Sequence, residues 1–268
     1  MSSCSTSPID IDLLGRIDNS LEMVAAAMKD ACAVDVEADG MSFNGETVTA
    51  ARITEGAEYE GVRVRVQSGL GNARVSLQID IGFGDVIVPG PRKVVFPVLL
   101  DFPAPELNGY TMESTIAEKF QAMVKLGILN SRMKDFYDIW MLARTFDFRR
   151  EMLSKAVEKT FEKRNTPTTI APTVFDPSFV KDGDKKVQWQ GFIRKAKLAD
   201  APESFEDVVA AVKAFLEPSG YASDPGPRSG PRGAVSLGTG VSPRYPESRD
   251  WLGPPLFVDN KNSSIARA

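Results

Sequence analysis

Histidine is absent from all 268 residues of the chain. That excludes a Ser-His-Asp or Cys-His triad, a histidine-ligated zinc and histidine general-base chemistry together. Cysteine is scarce: Cys4 and Cys32 are the only two, which argues for a reducing compartment without a disulfide framework. No apolar run approaches membrane length, and Met1-Ser2-Ser3-Cys4-Ser5 lacks the charged-then-apolar layout of a signal peptide. A strong charge of either sign is also missing. The net charge is -4, so no general basic field draws in nucleic acid, and any such contact needs a local patch. The expectation is a cytoplasmic protein. Apolar content of 43% and charged content of 25% are those of an ordinary globular chain, long enough for one large domain or two small ones.

Against these absences, two aspartates one residue apart stand out in Ile9-Asp10-Ile11-Asp12-Leu13. Strand side chains alternate faces, so the apolar residues can meet a core while both carboxylates face the other way. Like charges on one strand face repel, and burying either costs several kcal/mol unless a cation sits between them. A divalent metal is the natural occupant, and phosphoryl or nucleotidyl transfer the natural chemistry. Two rises of about 3.3 Å set Asp10 and Asp12 roughly 6–7 Å apart, and metals in two-metal sites lie about 3.5–4 Å apart, so the pair can ligate both. Asp80 is the candidate third carboxylate. In Val75-Ser76-Leu77-Gln78-Ile79-Asp80-Ile81 the odd positions are apolar, which places Asp80 on the polar face. The alternative is that these acids solvate an exposed strand.

The layout along the chain is α+β, strands first and helices later, with a carboxylate-bearing mixed sheet, flanking helices and a helical second half. Asn19 and Glu22 are spaced as a capping box opening an amphipathic helix over 19–33. Residues 47–53, 61–67 and 73–81 alternate as strands, with a hairpin loop over 68–72, and 94–100 is a further short strand. Helical spacing marks 113–127, 134–144, 149–163, 192–199 and 204–216. From about residue 218, Gly, Pro and Ser dominate and no period survives, so a disordered tail is expected. The expected divisions are 1–105 for the sheet domain, 106–217 for the helical region and 218–268 for the tail.

Four further groups carry possible chemistry. Arg63 and Arg65, in Val62-Arg63-Val64-Arg65-Val66, can fork onto triphosphate or RNA phosphate, or pair with acids on neighbouring strands. Gly82-Phe83-Gly84-Asp85 either lets backbone approach a ligand or simply ends a strand. Lys119 lies beside the apolar stripe of its helix. Arg132, Lys134, Asp135 and Asp138 cluster at a helix start, where surface ion pairing competes with a phosphate role.

These motifs together resemble a known family. Ile9-Asp10-Ile11-Asp12-Leu13-Leu14-Gly15 with Asn19-Ser20, Gln78-Ile79-Asp80-Ile81-Gly82-Phe83-Gly84-Asp85, Glu113-Ser114 with Ala117-Glu118-Lys119, and Asn130-Ser131-Arg132 with Lys134-Asp135-Phe136-Tyr137-Asp138-Ile139-Trp140 resemble, in order and wording, the AbiEii/AbiGii-type nucleotidyltransferase toxins. The resemblance spans about residues 9–216. It implies a polymerase-β-like nucleotidyltransferase fold with a helical C-terminal region, and the toxin half of a toxin–antitoxin pair. The implied reaction moves a nucleotide from an NTP onto an acceptor, tRNA in related toxins, with Mg2+ as cofactor. It implies that Asp10, Asp12 and Asp80 bind metal, that Lys119 contacts nucleotide phosphate and that Asp135 supports Lys119. The family opens with a Gly-Gly or Gly-Ser turn about ten residues before the aspartate pair. No such turn precedes Asp10 here, and Ser2, Ser3, Ser5 and Ser7 supply no glycine. A second expectation follows from that departure: a truncated, catalytically inactive remnant acting at most as a binding module.

Overall fold

The computed structural model describes residues 9–53, 61–96, 101–168 and 171–217. The chain divides into two compact units between Asp85 and Val86. The first holds strands β1 (Ile9–Gly15), β2 (Met41–Ile53), β3 (Gly61–Leu70) and β4 (Ala73–Phe83), with helix α1 (Leu21–Cys32) between β1 and β2. The sheet order is β1-β4-β3-β2. Strand β1 runs parallel to β4, and the β3 pairings are antiparallel, which makes the sheet mixed.

Period-2 alternation explains its one-sided core. Val62, Val64 and Val66 of β3 are 0–2% exposed, and Ile79 and Ile81 of β4 pack with them against Val24 of α1. Each such side chain contributes about 1.5–3 kcal/mol relative to exposure. The intervening positions, Arg63, Arg65, Gln78 and Asp80, therefore carry the polar residues on the opposite face.

Several local expectations need correction. Asn19 does not cap α1: the N-cap is Ser20, without a side-chain cap bond, and the Asp18 carboxylate accepts the Ser20 N–H at 2.9 Å. Strand β2 begins at Met41 rather than 47, because the register jumps between Asn44 and Thr49 and the bulge breaks the alternation. The β3–β4 loop shrinks to Gly71-Asn72, with Gly71 at φ +56°, where a two-residue hairpin favours glycine.

The second unit opens with a short antiparallel hairpin of β5 (Arg92–Val95) and β6 (Glu106–Gly109). Six helices follow among the described residues: α2 (Met112–Leu126), α3 (Met133–Thr145), α4 (Arg150–Lys163), α5 (Pro177–Val180), α6 (Gly183–Ala196) and α7 (Phe205–Leu216). The α+β layout is as expected. Helix α6 starts nine residues before the expected 192, at an Asp182 cap that accepts the Asp184 N–H at 2.7 Å. Its first turn, Gly183-Asp184-Lys185-Lys186, hides the apolar period. Part of the expected 94–100 strand, and the whole of the expected tail, lie outside the described residues. Aromatic stacking builds the core: Phe120 lies 5.2 Å from Phe161, Phe136 5.1 Å from Phe205, and Trp189 5.6 Å from Phe205. Among the described residues, no helix is long and apolar enough to cross a membrane.

Hydrogen bonds explain why the segment after Asp85 belongs with the helices. Ser114 Oγ accepts the Val88 N–H at 2.8 Å, and Thr111 Oγ1 donates to the Val88 carbonyl at 2.7 Å while accepting from the Ser114 N–H. Thr111 is 1% exposed. Thr111→Val is expected to lower stability by about 1–3 kcal/mol, since it removes a cap and strands buried polar groups. Denaturant unfolding of the full chain measures that loss.

Candidate functional site

Candidate residues fall on both units, and each group has its own local geometry. On the sheet, Asp12 of β1 stands in direct register with Asp80 of β4. In-register residues on neighbouring strands share a face and sit about 4.8 Å apart. Ile11 packs into the core, so this face is the one opposite α1. The expected phase match between Asp12 and Asp80 is therefore a side-by-side pair. Asp10 enters as a backbone position of β1, in register with Gln78.

Arg63 is the register partner of Asp80 across β3–β4. Its Nε donates to Asp80 Oδ1 at 2.7 Å and its Nη2 to Oδ2 at 2.6 Å, a two-pronged fork. Of the two uses foreseen for Arg63, the cross-strand acidic partner is the one in place. Arg65 is exposed and donates from Nη2 to Gln78 Oε1 at 3.1 Å. Beyond Asp80, β4 ends at Phe83 and Gly84 turns at φ +80°, so the glycines close a strand. They also admit a neighbour the sequence did not reveal. A Cβ on Gly82 would stand 3.2 Å from Asp85 Oδ2, so the Asp85 carboxylate folds back over the Asp80 row. The Gly-x-Gly-Asp run was the available signal.

Mg2+ in phosphate-transfer sites takes one or two carboxylates plus substrate phosphates and water. Asp12 and Asp80 supply that donor chemistry, and a carboxylate forked by arginine keeps further lone-pair directions. Among the described residues, no group of three metal-ligating side chains converges. The residues fit Mg2+ as a two-carboxylate set.

The helical unit carries the second group. Lys119 of α2 is 2% exposed, and its Nζ lies 3.1 Å from Asp135 Oδ1 and 3.0 Å from Asp138 Oδ2. Both acids lie on α3, three residues apart and hence on one face. Each meets an outer cation: Arg132 Nε is 3.0 Å from Asp135 Oδ2, and Lys134 Nζ 2.7 Å from Asp138 Oδ2. The chain of charge runs Arg132, Asp135, Lys119, Asp138, Lys134, alternating in sign. Pairs expected on a helix surface are thus made inside the protein, because α3 lays its acids against a lysine of α2. Burial of the three inner charges demands this mutual pairing. Asp138 was not singled out as a site residue; the Asp135-x-x-Asp138 spacing was the signal that could have found it. A neighbouring layer ties α2 to the end of α4, where Arg164 Nη1 donates to Gln121 Oε1 at 2.9 Å and Nη2 lies 3.6 Å from Glu118.

The sequence model of a family described as "Nucleotidyl transferase AbiEii toxin, Type IV TA system" matches residues 8–211. Among solved structures, JHP933 from Helicobacter pylori overlaps at 14% identity, covering 81% of this chain and 77% of that one, with a TM-score of 0.36. Another H. pylori protein, put forward as a nucleotidyltransferase, overlaps at 14% identity over 81% and 80% of the two chains, with a TM-score of 0.35. No curated protein matches the chain.

Proposed function

The chain belongs to the AbiEii family of nucleotidyl transferase toxins of type IV toxin–antitoxin systems, and on that premise we propose that it moves a nucleotide from an NTP onto tRNA in a Mg2+-dependent reaction. The observation that carries the proposal is the in-register pair of Asp12 and Asp80 on adjacent parallel strands. Two like charges set side by side on one sheet face favour cations beside them; Arg63 supplies one positive charge there, and a divalent ion would supply the rest.

Asp12 and Asp80 are the residues that would hold Mg2+, and the family likeness adds Asp10 as a third ligand. When bound, the ion neutralises charge on the triphosphate and on the attacking hydroxyl. The acceptor's hydroxyl oxygen bonds to the α-phosphorus, and pyrophosphate leaves. Arg63 fixes the orientation of Asp80 through its fork, and Asp80 helps remove the hydroxyl's proton. Arg65, exposed on the same face, is a local cation for phosphate where the chain's net charge offers none. Within the helical unit, Lys119 is a further phosphate contact, supported by Asp135. The family implies a cognate antitoxin. NTP and tRNA are cytoplasmic, and so, on this reading, is the protein.

The test is transfer of α-labelled NTP, each of the four in turn, to total tRNA. Labelled tRNA is expected with Mg2+ and none after chelation with EDTA. Full-length, folded protein that labels no acceptor with any NTP would sink the assignment.

A further inference from the structure

We propose that the polar face of the sheet continues beyond Asp80 as the track of the acceptor's single RNA strand, and that the track ends in a pocket at Arg74. The RNA class of that ligand rests on the nucleotidyl-transfer reading above, while the pocket rests on the sheet alone. Strand register lays the face out in rows. Asp12 and Asp80 share the first row with Arg63, and Gln78 and Arg65 form the second. Ser76, Gln67 and Asn44 make the third, and Arg74, Gly69 and Ser42 the fourth. At roughly 3.3 Å per residue along β4, Arg74 stands about 20 Å from Asp80.

The last two rows border a cavity of about 390 Å³, lined by Ser42, Asn44, Gln67, Ser68, Gly69 and Arg74. Small-molecule sites measure about 300–1,000 Å³, so this one has room for a nucleotide unit. Its hollow has a cause in the sequence. Gly69 brings no side chain to the middle of the fourth row, and a Cβ there would stand 3.0 Å from Ser42 Oγ. Its wall has a cause in the bulge between Asn44 and Thr49. Thr47 Oγ1 donates to the Asn44 carbonyl at 2.6 Å and accepts the Gln67 N–H at 2.9 Å, and Asn44 Oδ1 accepts the Glu46 N–H at 3.1 Å. The bulge thus fixes Asn44 before any ligand arrives, which lowers the ordering cost of binding. Among the described residues, Asn44 Nδ2 donates no hydrogen bond.

The chemistry of the pocket is that of a donor-rich anion site. No lining residue is acidic, and among the described residues Arg74 makes neither an ion pair nor a side-chain hydrogen bond. Arg65, on the way there, has only the neutral Gln78 amide as its described partner. The face therefore runs from carboxylates that call for a metal to two guanidinium groups whose charge is uncompensated. Arg, Asn, Gln and Ser side chains are the usual contacts of nucleic-acid phosphate and sugar. The span separates the two substrates. An NTP whose phosphates lie at Asp80 is too short to reach Arg74. A strand whose terminal hydroxyl lies at Asp80 trails several nucleotides back to it. Arg74 then holds a phosphate of that strand, and Asn44 and Gln67 hydrogen-bond its sugar or base.

The probes are tripolyphosphate and a single-stranded RNA of about eight nucleotides, titrated into the full chain without Mg2+ across a salt series. Arg74→Gln is expected to weaken RNA about three- to tenfold, to reduce the log–log salt slope by about one and to leave tripolyphosphate unchanged. Gly69→Thr, which suits a strand but puts a side chain into the hollow, weakens RNA at an unchanged slope. Lys29→Gln removes the same charge from the exposed side of α1, on the other face of the sheet, and leaves RNA affinity within about twofold. In the transfer assay, Arg74→Gln raises the KM for tRNA and keeps the KM for NTP. Unchanged RNA affinity of Arg74→Gln, an equal loss in Lys29→Gln, or a wild type that binds no RNA overturns the proposal. A loss on tripolyphosphate as large as on RNA hands the pocket to the free NTP and overturns the acceptor track. A wild type that transfers no nucleotide, while Arg74→Gln still loses RNA, overturns the transferase reading alone. A wild type that labels tRNA, with an Arg74→Gln variant of equal RNA affinity and equal KM for tRNA, overturns the pocket alone.

Discussion

Replacing Lys119 with methionine is expected to destabilise the protein by about 3–5 kcal/mol, the cost of removing one partner from a buried ion pair. Methionine keeps most of the lysine stem, so little of that loss comes from an empty cavity. The loss comes from Asp135 and Asp138, 2% and 3% exposed, which lose the cation lodged between them while the outer cations Arg132 and Lys134 stay. Those cations sit at the rim, about a quarter exposed, and cannot replace a charge lodged between the two carboxylates. For a chain of this size each kcal/mol moves the melting temperature by about 2–4 °C, so the midpoint should fall by roughly 10 °C. Adding Asp138→Asn to the same chain should restore part of the loss, because one of the stranded charges is then gone. Thermal unfolding of the single and double variants measures both. A single variant within about 1 kcal/mol of wild type would mean that the outer cations suffice, and that Lys119 is not the centre of the network.

How much of this was legible in the sequence depended on range. Val62, Val64 and Val66, and Ile79 and Ile81, announce their strands because a one-sided core imposes period 2 on every residue. The first half of β2 was hidden because its bulge shifts the phase between Asn44 and Thr49. The hairpin strand β6, Glu106-Leu107-Asn108-Gly109, is too short and too polar to show a period. Helix α2 showed its apolar stripe with Lys119 beside it, yet nothing in the spacing announced the full burial of Ser114, Glu118, Lys119 and Gln121. Their burial depends on partners far along the chain: Val88, Asp135, Asp138 and Arg164. At the candidate site the common face of Asp12 and Asp80 follows from phase alone. Their direct register, and the choice of Arg63 rather than Arg65 as the partner of Asp80, required the pairing of β4 with both β1 and β3. The family's motifs carried the functional expectation, since no local rule distinguishes a metal carboxylate from a solvated one.

That distinction is where the other large effect is expected. Asp80→Asn and Asp12→Asn should each lower nucleotide transfer by about a hundred- to a thousandfold, the scale of removing one preorganised electrostatic contact from a transition state. Stability should barely follow. The Arg63–Asp80 pair is 27% and 23% exposed, and partly exposed pairs contribute about 1 kcal/mol or less. A separation of that size tells a ligand from a counter-ion: if Asp80 served only to neutralise Arg63, Asp80→Asn would keep its rate and lose a little stability. Arg63→Met supplies the opposite perturbation. It leaves Asp12 and Asp80 in register with no fork between Asp80 and solvent, so their repulsion grows and a divalent cation gains. Mg2+ should therefore raise the melting temperature of Arg63→Met more than that of wild type, by the mass-action stabilisation of whichever state binds it. Transfer rates that ignore both asparagine substitutions, together with a melting temperature of Arg63→Met that ignores Mg2+, would leave the aspartates as a polar sheet face and the chain as a fold without its chemistry.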